Sequence, residues 1–418
     1  MATSARDPEF PEARPTLEKS SSPRGQSPYE SAESTVRNFS IVVGGPLYDL
    51  LLRFRLVRQS FSNISRRIVI VVAMTWLPLL LLSLKSGVAF GHQVRVPFLY
   101  DLSMYGRFLL GLPLLLLAEV SIDPAVRQAV AEFMEARLVQ DQELPRFENV
   151  LRGVQRLRDS WVPEVILFVL AFFPVFLWQH EWTTSALSSW HTTARGLTAA
   201  GWWFAVFSAP MLRFIIYRWC FRYIIWAALL WRISRLHLTL MPTHPDHAAG
   251  LNFLAMAQKQ FGILFCALGC TFAGRVANSM LFEGAPLSSF KSLMAGYVVM
   301  SLIVGLLPLT LLAPKLKKVR TAGLLAYGRF ANTYTESFDR KWVHYVRPPS
   351  EPLLGTGDLQ SLADLGNSFA FIEGMRIAPI SRKLALQIAG QAAIPLLPLI
   401  LLGTPAPELI RAVMKMVL

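Results

Sequence analysis

Seven stretches of the chain, 68–84, 102–120, 162–178, 199–217, 260–282, 292–313 and 384–402, are almost wholly apolar and too long to be strands. A hydrocarbon layer of about 30 Å needs about 20 such residues per crossing. Unpaired backbone groups are costly there, so each stretch is predicted to be a helix. The last one reads AAIPLLPLILL around Pro395 and Pro398, and two readings stand: a kinked crossing, or a re-entrant hairpin returning to its own side. The expected fold is an all-α polytopic membrane bundle of six or seven transmembrane helices.

The polar stretches divide the rest. Residues 1–36 are rich in Ser, Pro and Glu and are expected to be a disordered tail. In 37–67, Leu47, Leu50, Leu51, Phe54, Val57, Phe61 and Ile64 recur at helical spacing among Arg53, Arg55 and Arg58. That pattern suits an amphipathic juxtamembrane helix, lying either on the bilayer or on the protein's own surface. The six-span core, 68–313, includes loops 121–160, expected to be a solvated helical pair, and 218–258, expected to continue the fourth span as a long helix. A polar segment, 314–383, precedes the last unit, 384–418, whose PELIRAVMKMVL suggests a second interfacial helix. The GTGD ending at Asp358 has the wrong spacing for a nucleotide fingerprint and reads as a turn before a helix.

Composition confirms the solvent: 53% of residues are hydrophobic and 16% charged. The 41 basic and 27 acidic side chains leave a net charge of +14. In a soluble protein that surplus would suggest nucleic acid; here it points to anionic lipid, with no nucleic acid as partner. Alternate flanks of the spans carry 26 basic residues on one side and 4 on the other. Basic flanks are retained in the cytoplasm, so the amino terminus is expected inside. Cys220, Cys266 and Cys270 form no disulfide framework or CxxC pair and read as reduced packing residues.

Ionisable side chains within spans are expensive, and they are the first candidates for function. Arg107 and Arg275 fall at similar depth in the outer halves of the second and fifth spans. They either ring an outward-facing anion site or bond separately to carbonyls. Glu119 and Arg213, near the inner ends of their spans, could bridge, but the stronger reading has Arg213 snorkelling to the interface and Glu119 solvated. The second candidate is TLMPTHPDHAAGLNFL, at 239–254. Pro242 and Pro245 cannot continue a helix, while His244 and Asp246 complete a hinge in which Asp246 is expected to cap a helix starting near Ala248. Asn would then replace Asp246 at little cost. His237, His244, Asp246 and His247 also match zinc in ligand type, without any recognised zinc spacing. The preferred reading of this segment is therefore structural, with no metal and no cofactor.

The stretches RFLLGLPLLLLAE from Arg107, RWCFR around Arg218, PTHPDHAAGLNFL from Pro242 and SLADLGNSF from Ser361 resemble an uncharacterised family of bacterial polytopic membrane proteins. The family's central motif reads T-H-P-D-R-A-G-G-L-G-F-L, from which this chain departs at His247, Ala249 and Asn252. The resemblance implies a bacterial inner-membrane location and no particular activity. Two classes of function stand: a transporter or channel for a small anionic solute, and a non-catalytic scaffold or regulator engaging anionic lipid or an unidentified protein. No HExxH or GxSxG motif favours an enzyme.

Overall fold

The computed structural model describes residues 28–45, 64–177, 189–193, 196–344 and 357–403. Among them are eleven helices: α1 (Pro28–Arg37), α2 (Ile64–Lys85), α3 (Leu102–Glu135), α4 (Leu144–Asp159), α5 (Trp161–Leu177), α6 (Ala199–Ile233), α7 (Phe253–Phe282), α8 (Leu287–Thr310), α9 (Ala313–Phe338), α10 (Gly357–Glu373) and α11 (Arg382–Leu402). Six of them, α2, α3, α6, α7, α8 and α11, are long and apolar enough to cross a membrane. The protein is an all-α, polytopic membrane bundle.

Helix α5 is shorter, at 17 residues, which at about 1.5 Å per residue still approaches the hydrocarbon thickness. Its crossing follows from what lies at its two ends. Before it, Arg158 donates to the Ser40 carbonyl (2.6 Å), and Ser40 in turn bonds Asp123, some 30 Å along α3 from Leu102. After it, Ser189 pairs with Val96 in the α2–α3 connection, at the other end of the bundle. Ile166, Phe168, Val169 and Phe173 stay exposed along α5, as side chains facing lipid do.

The final helix is continuous over Arg382–Leu402, and its two ends pack at opposite ends of the bundle, the geometry of a kinked crossing and not of a re-entrant hairpin. Leu384 and Ile388 join the main core, whereas Leu396 and Leu399 pack with Leu287 and Phe290, where α8 begins at the opposite end. Pro395 sits in a tight turn over Gly269, whose missing side chain leaves the room.

Four boundaries differ from those read in the sequence. The tail expected to be disordered over 1–36 includes α1, which lies on α4 with Ala32 and Val36 buried. Ser31 (2.6 Å) and Thr35 (2.9 Å) both donate to Glu148, so a polar sequence is ordered by partners distant in the chain. Residues 38–45 follow as a strap beneath α3, anchored where Asp123 accepts from the Ser40 hydroxyl and the Ile41 and Val42 amides at 2.5, 3.1 and 3.2 Å. The amphipathic stretch at 46–63 and the carboxyl-terminal segment from 404 lie outside the described residues. The loop at 121–160 is a solvated pair in neither half: Ile122, Val126, Val130 and Phe133 continue α3 into the core, and α4 buries Phe147, Leu151 and Val154. Finally, the break at Pro242 and Pro245 runs to Asn252, and the next helix starts at Phe253 instead of near Ala248. The helix expected after GTGD begins at Gly357.

Candidate functional site

Helices α3 and α6 each widen by one residue per turn in their outer halves. Leu112 N–H donates to the Arg107 carbonyl, and Ala209 N–H to that of Phe204, five residues back instead of four. Such π-turns often occur at functional sites, and apolar periodicity gives no sign of them. These two border the same cavity of about 390 Å³. Arg107 and Phe108 come from α3, Phe204, Leu212, Arg213 and Ile216 from α6, Thr271 and Arg275 from α7, and His191 from the outer connection.

The expected Arg107 and Arg275 are brought together here, and Arg213 joins them. Arg107 lies over the Phe204 ring, 5.9 Å from its centre, and Arg213 donates to the Ala171 carbonyl at 3.2 Å. No carboxylate lines the cavity among the described residues. The nearby Asp101 instead accepts from Trp190 Nε1 (2.8 Å), Asn278 (2.6 Å) and the Ser103 amide (3.0 Å). Its cluster fixes the outer connection, and Trp190 stacks on His191 with ring centres 5.1 Å apart. Burial pushes His191 below the ordinary histidine range; Asp101 opposes this and Arg107 adds to it.

Glu119 and Arg213 do not pair. Because α6 runs unbroken to Ile233, the residue that reaches Glu119 is Arg222, nine positions and about 13 Å further along. Glu119 accepts from Arg222 at 2.9 Å and from Arg67 of α2. Arg222 also contacts the Val42 carbonyl (3.4 Å), and Arg218 faces Glu164 at 3.7 Å. This second cluster sets three guanidiniums against two carboxylates and closes the bundle beneath the strap. Arg67, Arg218 and Arg222 were all visible as basic residues near span ends; only the helix lengths and crossings determine their partners.

The THPDH segment is organised by one carboxylate. Asp246 Oδ1 accepts from the amides of Ala248 (2.8 Å) and Gly250 (3.1 Å), and Oδ2 from that of Asn252 (3.0 Å). It therefore caps an irregular loop, and not a helix starting near Ala248. Pro242 packs against Gly323 of α9, and Pro245 sits inside the turn. Arg376 closes the loop from α10's far side, donating to the Asp246 carbonyl at 2.6 Å.

The four residues of zinc-like type are not gathered into a ligand set. His237 bonds Glu143 at 2.9 Å, His244 faces Asp246 at 2.9 Å, and His247 packs on Phe371. No group of three or more metal-ligating side chains occurs among the described residues. Cys266 and Cys270 sit one turn apart on α7. No protein-family model matches the chain, and neither does any characterised protein or solved structure compared with it.

Proposed function

We propose that the protein carries or conducts a small anionic solute across a membrane, and that its binding site is the outer cavity. One observation carries this reading: three arginines from three helices, Arg107, Arg213 and Arg275, share a cavity to which no described residue contributes a carboxylate. Like charges concentrated at low dielectric repel one another, and a bound anion relieves that repulsion. Phe108, Phe204, Leu212 and Ile216 supply an apolar wall, so the solute combines an anionic group with a compact body.

In this reading the basic end, which carries α4, α9 and the THPDH loop, faces the cytoplasm of a bacterial cell against anionic lipid, and the cavity opens outward. The scaffold reading draws support from the α9–α10 hairpin, where Leu325, Phe330 and Leu359 are exposed.

The test is binding of sulfate and of small carboxylates to purified protein by calorimetry, followed by flux into vesicles. Replacing Arg107 or Arg275 by Gln is expected to lower affinity at least about tenfold, the loss of one charge-assisted contact of roughly 1.5–3 kcal/mol. Wild-type protein that binds none of these anions would exclude the anion site and leave the scaffold reading.

A further inference from the structure

Within the same cavity, we propose that His191 is a proton site, so that the anion is bound together with a proton. The inference rests on the anion reading and adds to it the identity of a co-substrate. Four observations on geometry support it.

His191 lines the cavity beside the three arginines. Its Nδ1 faces the Ser189 hydroxyl closely and that of Thr192 at 3.5 Å. Its Nε2 has no protein partner among the described residues. The ring is clamped between Trp190, in a near-parallel stack, and the edge of Phe204 at 6.4 Å, so it cannot turn away when it gains charge.

The charged groups around it come from each neighbouring element: Asp101 from the outer connection, Arg107 from α3, Arg213 from α6 and Arg275 from α7. Burial first, with Arg107 adding to it and Asp101 opposing it, holds the free imidazole below its ordinary range, while Asp101 is itself held by three donors. An anion among those arginines offsets much of their positive potential at His191. A proton then passes from solvent to Nε2, and the pair enters with one negative charge less than the anion alone.

The linkage has a definite sign. Anion binding raises the His191 pKa from its depressed free value, so affinity rises as pH falls through the raised value and levels off below the depressed one. A rise of one unit corresponds to about tenfold tighter binding once pH has fallen from above the raised value to below the depressed one.

The probe is sulfate, whose own charge does not change over this range, titrated by calorimetry in two buffers of different ionisation enthalpy. The wild type is expected to take up a fraction of a proton per sulfate near neutral pH, and the exposed-loop control His92→Gln is expected to do the same. His191→Gln should bind more weakly and take up none. Sulfate binding without proton uptake in the wild type overturns the proton site alone, whether or not the variant folds. Undiminished uptake in His191→Gln does so too, and wild type that binds no sulfate at any pH overturns the anion site and the proton site together.

Discussion

Asp246 illustrates how much one side chain can organise when both its oxygens are used. Three amides converge on it within a loop whose backbone is left-handed at His247 (φ 53°) and Ala249 (φ 54°). Replacing it by Ala strands those donors and is expected to cost about 1–3 kcal/mol. Asn keeps an acceptor for Ala248 and Gly250 but turns an NH₂ toward the Asn252 amide, so its loss should be intermediate, where a simple helix cap would have tolerated Asn well. Although burial works against the charge, the bonds from Ala248, Asn252 and Gly250, with His244, hold this carboxyl below its usual range. A depressed carboxyl stabilises the fold above its unfolded pKa of about 3.9, and that contribution is lost as pH falls through the folded value. Thermal unfolding in detergent is expected to give wild type above Asn above Ala at neutral pH, with the gap between wild type and Ala closing in acid. A gap that widens in acid would mean that the carboxylate is not the organiser.

At the scale of the element, the packing of α3 on α7 governs where the cavity arginines stand. A Cβ at Gly106 would lie 2.4 Å from the Cys270 carbonyl, and one at Gly274 would lie 2.7 Å from the Leu102 carbonyl. The two helices touch backbone to backbone on each side of the π-turn that presents Arg107. Gly106→Val must part them, and overpacking of this kind costs about 1–3 kcal/mol. Gly296, on the exposed face of α8, has nothing within 4 Å of such a Cβ. Gly106→Val is therefore expected to lower the unfolding temperature and weaken sulfate binding, while Gly296→Val leaves both within error; equal effects would show that the contact positions nothing.

For the whole molecule, a crossing by α5 as well as by the six long apolar helices would set the start of α2 and the end of α11 on opposite sides of a membrane. Reporters inserted after residue 140 or 240 should share one side, and those after 92, 286 or 403 the other. Labelling of the 403 site together with 140 would return the last helix to a hairpin. The asymmetry between the ends has physical content: one carries the Glu119, Asp123 and Glu148 anchors that tie α1 and the strap beneath the bundle, and the other carries the open cavity. One end is tied together by charged pairs, and the other carries a cavity lined by Arg107, Arg213 and Arg275.

The sequence by itself determined the class and the approximate positions of the six long apolar helices and of the shorter α5, because hydrocarbon imposes a length and a composition that can be counted. It also located the break at Pro242 and Pro245, since proline ends a helix through its own covalent structure. Only the tertiary structure decided the rest. Helix α3 runs on past Val120 because Asp123 meets partners from far along the chain. No local window contains those partners. The same reason paired Glu119 with Arg67 and Arg222, ordered a polar segment at Pro28–Arg37, and placed Arg213 at the cavity. His191 was indistinguishable from any loop histidine until Trp190 and Phe204 fixed its ring beside three arginines. A charge's cost and a histidine's pKa are set by what surrounds them in space, and in this bundle most of those neighbours are brought together by helix crossings.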